Sequence, residues 1–592
     1  MFKPVAFVVV CLGLIVCTPG FAASPSLASS GLKDLTPVSA AMPCEQLART
    51  DFESVPDAPT RISKAQVQTD DKTGAEFCRV TGFVSPQVQF ELRLPTKTWT
   101  QRLLMTGCGG LCGNIGLFAE HADSCLPLQR GEMAIVATDM GHEGQGGLWA
   151  KDDLLLRTDF AYRGVHVVTL AAKAIIAKYY GQPQAYAYFS GCSDGGREAL
   201  MEAQRFPTDF DGITAGAPAA NFVVQNSFYH AWNAVKNTGP DGQQIFNASR
   251  VAILHAAVLR ACDTLDGQAD GLISDPTQCH FDPATIQCQP GAATDACLTS
   301  AEVAVAKAFY EGAHDDQGNR FVTGGLQPGS ELAWVGVEIS PIPGMPPFGA
   351  MAAGDATKYL LNWPSLPTDW SVLTDFTFDK ATFDKVTASY PLYNATNPDL
   401  SAYFSRGGKL IMWHGWSDPH ISPTNSIAYY RGVEATVGAQ ATRDHMRFYL
   451  FPGLYHCGGG DGLNTFDILT PVMAWVEGAK QPEALQASHV EQKGMPGMMG
   501  PPSAPPVGTK GAPPLAPSGQ SSLDTVRPAP VVATVMISPY PLLADFKGKT
   551  KVANGYALYT PLSWAGDHLF KPYKAQTCGW TGNTYACETN LH

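Results

Sequence analysis

Charged residues are scarce in this chain. Asp, Glu, Lys and Arg make up only 16% of its 592 residues, and 40 basic side chains face 53 acidic ones for a net charge of −13. No basic tract stands out, which argues against nucleic acid or an anionic membrane as a partner. Beyond the N-terminus no stretch approaches twenty apolar residues, so the sequence predicts no membrane span. Internal repeats are also lacking. What is plentiful is apolar material, at 45%, together with 58 Gly and 45 Pro. That composition excludes a disordered polyelectrolyte and a helical bundle, and suits a loop-rich protein with a large core. The length allows two to four ordinary domains, or one large fold carrying an insertion.

The first residues read as a cleaved secretory signal spanning 1–23. Lys3 supplies the positive end, residues 5–16 the apolar run, and Gly20-Phe21-Ala22-Ala23 the small residues for cleavage. The mature chain is then expected to be secreted or periplasmic. Of fifteen cysteines, Cys11 and Cys17 leave with the signal and thirteen remain. In an oxidising compartment these point first to disulfides. Close spacing nominates Cys262 with Cys279, Cys288 with Cys297, and Cys578 with Cys587; Cys44 and Cys78 are assigned to disulfides as well. An odd number leaves at least one thiol over, and spacing does not assign Cys108, Cys112 or Cys125.

Residues 102–216 alternate strand-like and helix-like segments. Strands are expected at 102–105, 133–137, 186–189 and 212–215, with helices at 165–180 and 195–206. Such repetition predicts an α/β fold with a largely parallel sheet covered on both faces. From about residue 223 to 400 the pattern breaks into helical patches, at 250–259 and 301–310, between long loops rich in Gly, Pro and Cys. We read this as an inserted lid whose residues, including the region from Phe348 to Tyr359, are expected to set substrate specificity. Alternation resumes at 409–413, so the core has two parts, 44–222 and 401–592. A Pro-, Gly- and Met-rich insertion at 494–522 reads as a loop or linker.

The chemistry starts at Gly191-Cys192-Ser193-Asp194-Gly195. This G-x-S-x-G pattern lies between a predicted strand and a predicted helix, where a sharp turn projects the hydroxyl from the sheet edge. By itself the pattern is weak, and a plain glycine turn would explain it equally well; the flanking elements decide for a nucleophile. A serine needs a base, and the base an orienting carboxylate. Downstream, Asp418 follows the strand at 409–413, and His456 sits on a glycine-rich loop after the strand-like 447–450. Either could be an ordinary turn or surface residue, but their order after the serine, acid then His, is that of α/β hydrolases.

Cys192 directly precedes Ser193, and Cys457 directly follows His456. A disulfide holds its two α-carbons within about 7 Å, so bridging this pair would pin nucleophile and base side by side. The alternative is a buried free thiol at Cys192 with Cys457 paired elsewhere.

At this point the chain resembles the tannase and feruloyl esterase family, which also includes a mono(2-hydroxyethyl) terephthalate hydrolase. The resemblance runs over most of the mature chain, through Tyr179-Tyr180-Gly181, residues 191–197, 216–219, 414–418 and His456-Cys457. It implies an α/β-hydrolase fold with a large lid, a triad of Ser193, Asp418 and His456, a Cys192–Cys457 bridge, and a small ester of an aromatic acid as substrate. In that mechanism His456 takes the Ser193 proton, Asp418 holds the imidazole tautomer, and an acyl-enzyme forms and is hydrolysed. The oxyanion would be met by the Asp194 amide and one from Gly109 or Gly110. The Asp194 carboxylate is expected to point away from it. Three cysteines (Cys108, Cys112, Cys125) crowding that loop depart from the family pattern.

The lid carries a second constellation, Asp263, Asp266 and Asp270 between Cys262 and Cys279. Three carboxylates broken by glycines can wrap a hard cation, though the spacing is not that of an EF-hand. A solvated acidic turn is the plainer explanation. The resemblance implies structural calcium, held by those three side chains and by the main-chain carbonyls of Gln268 and Leu272. Two other functions stay open: an acyltransferase, peptidase or terephthalate monoester hydrolase on the same triad, and a non-catalytic, calcium-stabilised binding protein.

Overall fold

The computed structural model describes residues 30–490, 531–543, 551–552 and 570–588, except 72, 292, 343 and 583. The expected signal at 1–23 and the Pro-rich insertion at 494–522 lie outside the described residues. Nine strands make one sheet: β1 (Thr60–Thr69), β2 (Glu76–Val84), β3 (Val88–Pro95), β4 (Arg102–Thr106), β5 (Ala134–Thr138), β6 (Tyr186–Cys192), β7 (Gly212–Gly216), β8 (Lys409–Gly415) and β9 (Met446–Phe451). Their order is β1-β2-β3-β5-β4-β6-β7-β8-β9. From β5 to β9 every neighbour is parallel. β4, β7 and β9 are buried at every residue, as strands covered on both faces must be.

The six parallel strands are those the sequence predicts, each within a few residues. The three antiparallel strands β1–β3 are an addition that the strand–helix alternation did not reveal. β1 reads Thr-Arg-Ile-Ser-Lys-Ala-Gln-Val-Gln-Thr and buries only two of its ten residues, as an edge strand can. Cys44 and Cys78 are joined and tie the preceding segment to β2.

The core helices are α1 (Gly164–Tyr180) and α2 (Asp194–Arg205), then α3 (Val251–Cys262), α4 (Ser300–Glu311) and α5 (Phe348–Asp355) in the excursion between β7 and β8, and α6 (Pro423–Val437) and α7 (Leu469–Gly478) beyond it. Turns from Leu154 continue into α1, making a 27-residue helical stretch long and apolar enough to cross a membrane, which the sequence reading did not mark. In this structure 67% of its most apolar window is buried, with Val165, Val168, Ala171 and Ile175 in the core. α4 is opened by a capping box in which Thr299 and Glu302 each satisfy the other's amide.

Residues 217–408 leave the sheet at β7 and return at the adjacent β8. The bridges Cys262–Cys279 and Cys288–Cys297 fasten loops of this excursion, and Cys578–Cys587 joins a C-terminal hairpin. Cys108 pairs with Cys112, leaving the buried Cys125 as the free thiol among the described residues. Burial pushes that thiol up to about 12.

Candidate active site

Ser193 stands at the turn from β6 into α2, with φ 64° and ψ −120°. A β-carbon on Gly191 would lie 2.5 Å from the Gly195 carbonyl oxygen, so the tight turn requires glycine there. The Ser193 amide donates to the Gly216 carbonyl at 3.0 Å, fixing the turn against β7. Asp418 and His456 arrive on the loops after β8 and β9, at the same carboxyl edge of the parallel strands.

The structure brings these three side chains together. His456 Nε2 is 2.8 Å from Ser193 Oγ, and His456 Nδ1 is 2.7 Å from Asp418 Oδ2. Asp418 Oδ1 accepts from the amides of His420 at 2.8 Å and Ile421 at 3.0 Å. Burial alone would raise this carboxyl, but the His456 charge and hydrogen bonds from His414 and His456 hold it well below the usual carboxylate range. An imidazole oriented by a permanently ionised acid can accept a proton from the serine hydroxyl.

Cys192 and Cys457 are bonded, with their α-carbons 5.9 Å apart and 265 positions between them. His121 Nε2 lies 3.0 Å from the Cys457 carbonyl oxygen, supporting the same loop from the other side. Burial lowers the His121 imidazole to about 4, so it stays neutral in front of that carbonyl.

On the other side of Ser193, Asp194 opens α2, so its amide is one of the helix's unpaired first-turn donors. Its carboxylate is turned away into a buried ion pair, 2.6 Å from Arg197 Nε and 2.9 Å from Nη2. Gly109 and Gly110 lie on the facing loop, where a β-carbon at either position would meet nothing within 4 Å.

Residues outside the triad complete the surroundings. His420, buried, has its ring 4.5 Å from that of His456, and Phe348 of α5 lies 4.9 Å from His420. Burial, then the nearby His456 charge, lowers His420 well below an ordinary histidine. The Gln225 side chain donates to the His420 carbonyl, and Tyr229 Oη to that of Pro419 at 3.2 Å. Glu120 is half-buried on the loop after β4, with Oε2 unpartnered among the described residues; burial raises it to about 7 against the pull of His456. His414 and His420 fall inside or next to the Asp418 motif, so proximity in sequence was the available signal; Phe348 opens the 348–359 region expected to bear on specificity, and Glu120 had no signal.

In the excursion, Asp263 Oδ1 accepts from the amides of Asp270 at 3.2 Å and Gly271 at 3.1 Å, while Asp266 accepts from the Gln268 amide at 2.9 Å and from Ser274 Oγ at 2.8 Å. Burial and the charges of Asp266 and Asp263 raise the Asp270 carboxyl.

Comparison with known proteins agrees with this architecture. The family model described as "Tannase and feruloyl esterase" matches residues 72–558. A probable feruloyl esterase B-2 of Aspergillus terreus is 31% identical over 448 residues, covering 71% of this chain and 80% of that protein. The mono(2-hydroxyethyl) terephthalate hydrolase of Piscinibacter sakaiensis is 31% identical over 492 residues, covering 72% and 79%. The crystal structure of feruloyl esterase B from Aspergillus oryzae superposes with a TM-score of 0.67 at 25% identity, over 84% of this chain and 96% of that one. A shared sequence signal and a shared fold over the same span leave one assignment: this chain belongs to the tannase and feruloyl esterase family of carboxylic ester hydrolases.

Proposed function

We propose that this chain is an exported serine esterase that cleaves small esters of aromatic, phenolic acids through an acyl-enzyme. The continuous hydrogen-bonded path from Ser193 Oγ through His456 to Asp418, at 2.8 and 2.7 Å, carries the proposal. Ser193 attacks the ester carbonyl as His456 takes its proton. The oxyanion forms against the Asp194 amide and the Gly109–Gly110 loop, and His456 returns the proton to the leaving alcohol. Water activated by the same imidazole then releases the acid. His420 and Phe348, packed edge to face beside the imidazole, supply aromatic surface that suits an aromatic acyl group. Six disulfides among the described residues support export, with residues 1–23 as a cleaved signal.

Calcium fits the loop at 263–272. Its donors are all oxygens, and its acids crowd enough to raise Asp270, a surplus of negative charge that a cation would relieve. Asp263, Asp266 and Asp270 would hold the ion through carboxylates, and Gln268 and Leu272 through main-chain carbonyls. Bound there, calcium would supply structural cross-linking of the loop.

The similarity to a terephthalate monoester hydrolase favours a second substrate on the same centre. Turnover of methyl gallate, methyl ferulate and a terephthalate monoester, each with wild type and Ser193→Ala, tests both. Hydrolysis of a phenolic ester that vanishes in Ser193→Ala is expected; turnover of the terephthalate monoester alone selects the second reading. Persistence of turnover in the variant would falsify the serine mechanism.

A further inference from the structure

The loop after β4 reads Gly107-Cys108-Gly109-Gly110-Leu111-Cys112, and its two cysteines are joined across a separation of four residues. The bridge therefore brackets the two glycines assigned above to the oxyanion. Nothing packs where their side chains would be, so their peptide planes need another restraint. That restraint comes from α2 below. Gly195 donates its amide to the Cys108 carbonyl at 2.6 Å, and Cys112 donates back to the Gly109 carbonyl at 3.1 Å. The Cys108 amide donates to Glu198 Oε2 at 3.3 Å. Glu198 Oε1 lies 2.8 Å from Cys108 Sγ and 3.5 Å from Cys112 Sγ.

Disulfide sulfurs carry no hydrogen, so a hydrogen bond between Oε1 and sulfur requires the proton to sit on the carboxyl. Burial, reinforced by the charge of Asp194, raises Glu198 well above the ordinary carboxylate range. A neutral carboxyl can both accept from the amide and donate to the sulfur. The same four side chains, Cys108, Cys112, Asp194 and Glu198, converge closely enough to suggest a metal site. A disulfide offers no thiolate, however, and Asp194 is already neutralised by Arg197.

We propose that the Cys108–Cys112 bridge and Glu198 form one clamp that sets the Gly109 and Gly110 peptide planes for the developing oxyanion, which makes Glu198 a positioning residue of the reaction. The proposal rests on Ser193 as nucleophile and on this loop as the oxyanion loop. A clamp of this kind acts on the transition state and leaves substrate binding nearly alone.

The test is steady-state kinetics on a phenolic methyl ester with Ser193→Ala, Glu198→Leu, Glu198→Gln and the double variant Cys108→Ser/Cys112→Ser, each checked for folding by circular dichroism and Tm. Glu198→Leu and the double cysteine variant are expected to lose roughly 10–100-fold in kcat with KM changed less than about threefold. Glu198→Gln, which keeps one donor and one acceptor, should recover most of the loss seen with Leu. Combining Glu198→Leu with the double cysteine variant should lower kcat little further, because the parts act as a unit. Unchanged kcat in the folded cysteine variant, a loss confined to KM, or a Gln variant as poor as Leu would each overturn the clamp. Turnover surviving in Ser193→Ala would instead overturn the underlying mechanism.

Discussion

His414 Nε2 stands 3.1 Å from the same Asp418 oxygen that His456 engages at 2.7 Å. His414 Nε2 also faces the Ile421 carbonyl at 3.0 Å, and two acceptors in front of one nitrogen place the hydrogen there. Nδ1 is then free to accept from Ser426 Oγ at 2.8 Å. His414 is thus one of four donors, with His456 and the amides of His420 and Ile421, around a buried carboxylate. Its truncation to Ala should destabilise the protein by about 1–3 kcal/mol, the range for a buried charged group that loses a partner. It should also lower kcat on the order of tenfold by loosening the acid that orients His456. Thermal melts and kinetics on one phenolic ester check both; an unaltered kcat would mean that the remaining donors hold Asp418 unaided.

The Cys192–Cys457 bridge should matter to stability and to turnover together. A closed loop of 265 positions corresponds to about 5–6 kcal/mol in the chain-entropy account. The hairpin bridge Cys578–Cys587 spans nine positions and joins the two strands of the C-terminal hairpin. Replacing Cys192 and Cys457 by Ser should therefore lower Tm and kcat. The same change at Cys578 and Cys587 should lower Tm less and leave kcat within about twofold. Equal kcat losses in the two variants would show that the first bridge gives no special positioning of His456.

A pH signature should come from Glu202. This side chain is buried on α2, with Oε2 unpartnered among the described residues; burial and then the charge of Asp209 raise it well above the usual range. A carboxyl kept neutral in the fold but ionised in the unfolded chain above about pH 4.3 destabilises progressively as pH rises from that value toward its folded one. Glu202→Gln removes this contribution. Its Tm relative to wild type should rise steadily from pH 5 to pH 8, read by scanning fluorimetry. A difference that stays flat with pH would show that Glu202 is ionised in the fold.

How much of this was legible in sequence depended on whether the constraint is local. The turn at Ser193 is local: two glycines, a strand before and a helix after, so residues 191–195 announce it. The bridge could be inferred because each cysteine is the chain neighbour of a candidate catalytic residue. The Cys108–Cys112 pairing could not, because three cysteines within eighteen positions admit several partners and only the fold puts Cys125 in a separate buried pocket. Glu120 escaped for a related reason: it belongs to a segment without its own signature and reaches the His456 neighbourhood only once the loop after β4 has packed there. The 348–359 region was expected to bear on specificity, but nothing in its sequence tied Phe348 to His420, which it meets only once α5 has packed there. The β1–β3 hairpins escaped because their strands interleave polar with apolar residues and so lack the apolar runs of the buried parallel ones.

Calcium removal offers a prediction with a structural route to the active centre. Leu272 packs against Gly453, where a β-carbon would lie 2.8 Å from Leu272 Cδ2, three residues before His456. Its neighbour Ile273 packs on Gly329, where a β-carbon would lie 3.2 Å from Ile273 Cδ1, and the Gly329 carbonyl accepts from Ser417 Oγ at 3.4 Å beside Asp418. The acidic loop thus touches the segment that carries the base and, through Gly329, reaches the one that carries its acid. If calcium holds that loop, chelation with EGTA should lower Tm by on the order of 2 °C, the size set by saturation at about a hundred times Kd in a protein this large. It should also lower kcat, with both restored by Ca²⁺ and not by Mg²⁺, which tolerates such a many-oxygen loop poorly. Asp270→Asn should mimic chelation and abolish the response to added Ca²⁺. A protein indifferent to EGTA in Tm would mean that the hydrogen bonds from the Asp270, Gly271 and Gln268 amides close the loop without an ion.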